Sequence, residues 1–294
     1  MTDQYIKRKI DVTLMLGKGD FGQSGVNTIT ASGLRCSANI IKTGGPGYAM
    51  AELRVWGLTE SVMNAASNLG RAPDYERVNY VTIMAGDDTS GMSREFYGLI
   101  QTAYQDFSDS GAASLNISAI TSVLDQVKPA PPTSFNGAAD VATIVNGLAT
   151  YMGLNFVNYG VQITLSHPYF WGTAKAQLDD VCHAANILYV IDDQTVCIWP
   201  KDGVRGGQIP NISPTSGLVG YPKYTSQGVT LRTLYRPGLI MGGFLNLDTS
   251  ITRAKGLWRV RTLVHNLESE MPGGAWFSDM DCYRTVADTG AVSG

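Results

Sequence analysis

Residues 80–120, YVTIMAGDDTSGMSREFYGLIQTAYQDFSDSGAASLNISAI, decide the fold. They read as three strands joined by two polar turns. Residues 80–85 are rich in β-branched and aromatic side chains, and Asp87, Asp88, Thr89, Ser90 and Gly91 then supply turn chemistry. Residues 95–107 make a long run of apolar and small side chains, which Ser108, Asp109, Ser110 and Gly111 turn back. Leu115, Ile117 and Ala119 alternate with Asn116 and Ser118, the two-residue period of a half-buried strand.

A weaker echo lies near the C-terminus. Residues 256–267 (GLWRVRTLVHNL) form another long strand, 268–274 a polar return containing glycine, and 275–283 (AWFSDMDCY) the answering strand. Thr102 then falls opposite Thr262, and Gly111 near the counterpart of Gly273. Two unrelated hairpins also produce strand, turn, strand, so the residues alone leave coincidence and duplication both open.

Working outward, the N-terminal part reads as strands at 5–16, 26–30, 34–41 and 51–57, with a glycine-rich loop at 17–25. A short helix is expected at 59–68, capped by Thr59, with Val62, Met63 and Ala66 on one face and Gly70 as its stop. Pro129, Pro131 and Pro132 mark a boundary. Beyond it Val141, Ile144, Val145, Leu148 and Met152 recur at helical spacing, with Asp140 in the first turn and Gly153 at the end. A second helix is expected at 173–186, a strand at 160–165, and a hairpin pairing 187–191 with 195–199. Residues 200–214 look like a second linker, followed by strands at 229–235 and 239–247, and residues 287–294 form a small, polar tail. The expected organisation is mainly β with a small α/β insert: a β-domain at 1–128, the insert at 129–205 and a second β-domain at 206–294.

The chain has 294 residues, of which 44% are hydrophobic and only 16% charged. Ordinary soluble domains carry about 25% charged residues, so much of this surface is expected to be covered by partners. A net charge of −3 builds no field for sequence-specific nucleic-acid binding. The longest basic run, Lys7, Arg8 and Lys9, reads as a solvated or partner-facing strand edge. Cys36, Cys182, Cys197 and Cys282 lie in apolar segments without CxxC spacing and read as reduced core residues. No signal peptide or membrane-spanning segment is read, so a soluble product folded in the cytoplasm is expected.

Candidate chemistry is weighed residue by residue. Gly17, Gly19 and Gly22 match the dinucleotide fingerprint, but that mechanism needs a helix after the loop, and residues 26–30 look β-like. Cys182 and His183 adjoin on a helix and point in different directions, with Cys182 on the apolar face. His167 and His265 are scattered, so no Ser–His–Asp arrangement can be argued. The doublets Asp87-Asp88 and Asp192-Asp193 read as solvated turns, and Asp179-Asp180 as the polar face of a helix. No catalytic, cofactor-binding or metal-binding residue is assigned, and no cofactor is expected.

The stretches YVTIMAG, REFYGLIQTAYQDF and LNISAI, with GLIMGGFLNLDTS and GLWRVRTLVHNLESEMPGGAWFSDMDCY, resemble the baseplate hub proteins of contractile-tailed bacteriophages. The resemblance covers most of the chain in element order and carries no catalytic motif. It implies two tube-like β-barrels per chain and a homotrimer with pseudo-sixfold symmetry, which favours duplication over coincidence. It further implies a virion structural protein of the tail baseplate, joining a hexameric tail-tube protein to a trimeric central spike protein, contacting other baseplate proteins and lining the DNA channel. A tail-tube or tube-initiator protein is the related alternative; a tail-tip peptidoglycan hydrolase is the alternative of a different class.

Overall fold

Residues 7–67, 78–108, 112–121, 129–285 and 288 are described in this computed structural model. β1 (Arg8–Met15), β2 (Thr28–Ala31), β3 (Cys36–Thr43) and β4 (Met50–Trp56) lead to α1 (Glu60–Ala66). β5 (Tyr80–Asp87), β6 (Gly91–Asp106) and β7 (Ser114–Ile120) follow. Next come β8 (Thr133–Ser134), β9 (Ala138–Asp140), α2 (Val141–Tyr151), β10 (Asn155–Asn158), β11 (Thr164–Ser166) and β12 (Tyr169–Phe170). α3 (Ala174–Ala184), β13 (Ile187–Asp192) and β14 (Thr195–Pro200) complete the middle. The C-terminal part holds β15 (Asn211–Ile212), β16 (Leu218–Thr225), β17 (Gly228–Leu234), β18 (Phe244–Leu247), β19 (Gly256–Ser269) and β20 (Trp276–Tyr283).

The fold is mainly β. One 13-stranded sheet runs β16-β17-β20-β19-β3-β4-β7-β6-β5-β1-β2, with β15 and β18 paired beside it. Its strands alternate as the sequence pattern requires: β3 and β20 are buried at every second residue. The N-terminal and C-terminal parts meet where β19 pairs antiparallel with β3, from Thr262 opposite Thr43 to Ser269 opposite Cys36. The expected pair of closed barrels is therefore corrected: among the described residues strand pairing gives one open sheet, because β19 runs on past its own hairpin partner's neighbours to join β3.

The two long hairpins are a structural repeat. The β6–β7 register breaks between Ile100 and Thr102, and the β19–β20 register breaks between Val260 and Thr262. Thr102 and Thr262, aligned from sequence, are each the first paired residue beyond a bulge. Just before it, Leu99 faces Tyr80 at the start of β5, and Arg259 faces Phe244 at the start of β18. The Ile100 N–H donates to Asn79 O at 2.8 Å, and the Val260 N–H donates to Gly243 O at 3.0 Å. On the other side β7 pairs β4 and β4 pairs β3, as β20 pairs β17 and β17 pairs β16. Hence β3-β4-β7-β6-β5 and β16-β17-β20-β19-β18 are one arrangement used twice, with α1 added only to the first.

The middle part packs α2 and α3 over a three-stranded sheet, β10-β14-β13, with Ile144, Leu148, Leu178, Val181 and Ile198 in its core. Both helices are capped by their preceding side chain: Asp140 Oδ2 accepts from the Thr143 N–H at 2.9 Å, and Thr173 Oγ1 from the Ala176 N–H at 3.2 Å. Asp140 is thus the cap, one residue before the first turn where it was expected. α1 is capped by Thr59, while Gly70 lies outside the described residues. Asn186, at φ 50, ends α3 in the left-handed region that asparagine tolerates.

Several strand expectations change. The strand expected at 160–165 is shorter and later, at β11, and the strand beside β14 is the more polar β10. Residues 239–247 are extended only over β18, because Gly242 adopts φ 81 and packs against Trp199. β16 was read as loop: Gly220 and Pro222 hide its pattern, and its register with β17 shifts between Val219 and Lys223. The linker reading of 200–214 also fails at its end, since β15 pairs parallel with β18.

Candidate functional site

One face of the repeated sheet carries two equivalent shallow hollows. Asn39, Glu52, Arg54, Thr102, Asn116 and Ser118 line the first. Lys223, Thr230, Arg232, Thr262, Asp279 and Asp281 line the second. Strand pairing makes these counterparts: Asn39 faces Glu52 as Lys223 faces Thr230, and Thr102 faces Ser118 as Thr262 faces Asp281. Alternation puts these polar side chains on one side of the strands and the core on the other. Each base here is matched by an acid. Arg54 Nη2 lies 3.0 Å from Asp106 Oδ2, Arg232 grips Asp279 with two bonds of 2.7 and 2.9 Å, and Arg261 Nη1 is 3.5 Å from Asp281 Oδ2. Bonds to the Ser108 N–H and hydroxyl hold the Asp106 carboxyl below the usual range. The face is hydrated and charge-balanced, and its arginines are already engaged.

A second feature is buried. Glu95 of β6 lies within 2.7 Å of the Tyr235 hydroxyl, 3.3 Å of His265 Nε2 and 3.8 Å of Lys42 Nζ. Lys42 also lies 3.5 Å from Asp192, which accepts from Arg205 Nη1 at 2.7 Å, and Arg94 Nε donates to Asp193 Oδ2 at 2.8 Å. This corrects the solvated-turn reading of Asp192 and Asp193, whose side chains are 17% and 15% exposed. The β13–β14 turn is pressed against β3 and β6, so its acids meet cations instead of water. Burial opposes the charged form of Glu95, but His265, Lys42 and the Tyr235 hydroxyl outweigh it and hold the carboxyl down at about 2. Burial likewise opposes charge on Lys42, yet Asp192, Glu95 and Asp193 raise its pKa.

Ser278 Oγ is 2.9 Å from His265 Nδ1, so Ser278, His265 and Glu95 stand in the order of a hydrolytic triad. All three are inside the sheet, at 0%, 0% and 4% exposure. No substrate can reach the hydroxyl, and the cluster acts as a pin joining β3, β6, β19 and the β13–β14 turn. No spacing could have announced it, since its members lie in three distant segments.

The other sequence candidates fall where packing places them. Gly19 and Gly22 adopt φ 91 and 72 in a loop that leads to β2, with no helix to meet a phosphate. Cys182 is buried and His183 exposed. All four cysteines are buried free thiols, and burial pushes Cys36 and Cys182 up to about 12. His167 is an exposed loop residue at φ 48 beside Ser166. Asp87 caps its own turn, accepting from the Thr89 and Ser90 N–H groups at 2.7 and 2.6 Å. Asp179 accepts from Lys175 Nζ and the Tyr189 hydroxyl, so only Asp180 keeps to the solvated face. The basic run is tied down too: Lys7 pairs with Glu270 at 2.6 Å and Lys9 with Asp88, while Arg8 lies over Trp276. Among the described residues no group of three His, Cys, Asp or Glu side chains could hold a metal ion, and no helix is long and apolar enough to cross a membrane.

The family described as Baseplate hub gp41 matches residues 9–271. The chain belongs to the Baseplate hub gp41 family. The match takes in both copies of the repeat up to the β19–β20 turn and the middle part between them. A search of curated proteins gave no match. Solved structures similar to this hub chain include the 43 kDa tail protein of prophage MuSo2 from Shewanella oneidensis, 9% identical, covering 93% of this chain and 98% of that one at a TM-score of 0.59. A tail protein from Neisseria meningitidis MC58 is also similar, 9% identical, covering 93% and 96% at a TM-score of 0.62. The Escherichia coli c3393 protein, described as a component of the type VI secretion system, is 8% identical and covers 92% and 76% at a TM-score of 0.57. At these identities the likeness is one of fold. Hub-family membership makes this a phage tail protein and points to the virion tail.

Proposed function

We propose that three copies form a ring that joins a hexameric tail tube to a trimeric central spike and contacts other baseplate proteins. The observation that carries this is the doubled five-strand arrangement with matching bulges at Gln101 and Arg261. Three chains with two similar units each offer six similar faces to a sixfold neighbour while keeping threefold symmetry toward a spike. In this reading each repeat supplies one tube-like wall, with the boundaries 1–128, 129–205 and 206–294, and the twin polar hollows line the channel. DNA must slide there without sticking, and a face whose arginines are bound to Asp106, Asp279 and Asp281 offers no row of free cations to phosphates. The role is structural, with no reaction, cofactor or metal, in a particle assembled in the host cytoplasm. Light scattering on the purified chain or its tail subassembly tests the proposal: three times 31.6 kDa, about 95 kDa, supports it, and a lone chain within the assembly refutes it.

A further inference from the structure

The internal junction between β19 and β3 is a template for a contact that the single chain leaves unmade. β19 gives up β18 after Val260 and takes β3 from Thr262 onward. β6 gives up β5 at the same point, after Ile100, and no strand pairs with residues 104–106 on that side among the described residues. β3 corresponds to β16, whose outer edge is likewise open at the end of the sheet.

We infer that β6 of one copy pairs antiparallel with β16 of a second copy in the register of the β19–β3 junction. This rests on the ring reading and adds to it which edges meet and where. Val264 faces Ile41, His265 faces Ile40 and Asn266 faces Asn39. The counterparts place Tyr104 opposite Thr225, Gln105 opposite Tyr224 and Asp106 opposite Lys223 of the neighbour.

Two observations point to a second copy as the occupant. The first is exposure: Phe107 is 66% exposed where its counterpart Leu267 is 1%, and Tyr224 is 58% exposed where its counterpart Ile40 is 0%. Both are large apolar side chains at positions that the repeat buries wherever the junction is complete. The second is charge: Asp106 meets Lys223, opposite signs directly across the new pair. Pro222, with no N–H to donate, ends the ladder beside Phe107 and confines the edge to this short register.

Cysteine pairs in the full-length chain, assembled into tails and oxidised, test the register. Directly opposed residues of an antiparallel pair stand about 4.5–5.5 Å apart at Cα, within disulfide range. Tyr104→Cys with Thr225→Cys replaces exposed residues, and the native thiols are all buried. A non-reducing gel is expected to show covalent dimers and trimers for this pair. Tyr104→Cys with Lys223→Cys, displaced by about 6.7 Å along the strand, is expected to stay at the single-chain position. Trimers by light scattering without that cross-link, or with equal cross-linking of both pairs, overturn the register and leave the ring reading standing. A chain that never associates overturns both.

Discussion

Glu95→Gln tests whether the buried pin holds the three parts of the chain together. The substitution keeps the shape and the oxygen facing the Tyr235 hydroxyl but removes the charge beside His265 and Lys42. The folded carboxyl sits at about 2 against an ordinary 4.5. About 2.5 units at 1.36 kcal/mol each amounts to roughly 3.4 kcal/mol. Because the folded carboxyl binds its proton less tightly than the unfolded one, this contribution is complete above pH about 4.5 and is lost as the pH falls toward 2. Lys42 keeps Asp192 in the variant, so no buried ammonium is left stranded. Urea unfolding of the wild-type and Glu95→Gln chains should therefore differ by about 3 kcal/mol at pH 7 and by roughly 1.4 kcal/mol at pH 3. A difference under about 0.5 kcal/mol at pH 7, or an equal loss at both pH values, refutes the reasoning.

Arg259→Ala strands the buried Asp288, which now accepts from Arg259 Nε and Nη2 at 2.7 and 2.8 Å, and should cost about 3–5 kcal/mol in the same urea assay. Thr173→Ala removes the α3 cap and should cost about 1 kcal/mol, whereas Thr173→Ser should cost a few tenths. Gly228→Ala would set a Cβ 1.9 Å from Cys282 O, forcing β17 away from β20, and should lower the thermal midpoint by several degrees. The four thiols should ignore Ellman's reagent in the native chain and react together on unfolding, since all are buried and burial raises each thiol's pKa.

The parts of the fold legible in the sequence are those with local, regular causes. The long strands with alternating side chains, the 187–200 hairpin and the two capped helices were readable because period and caps are written within a dozen residues. The alignment of Thr102 with Thr262 was legible too, although the bulges that give it meaning were not. β16 was not, because Gly220 and Pro222 break its alternation and its identity comes from β17. The polar hollows and the Glu95 pin depend on strands distant in sequence, so no local spacing encodes them. The Asp192-Asp193 doublet shows the limit plainly: turn chemistry predicted the turn, and only packing revealed that Lys42, Arg205 and Arg94 wait beneath it.

The central claim is that two copies of one strand arrangement per chain, times three chains, make a sixfold-like wall around a channel. A reconstruction of the tail end by electron microscopy, viewed in section through this layer, measures it directly. The account predicts three chains showing six similar sheet segments around the axis, with β16 of each chain beside β6 of the next and the hollows of Thr102 and Thr262 facing inward. Six chains each supplying one segment, or a layer whose inner surface is formed by other residues, would contradict it.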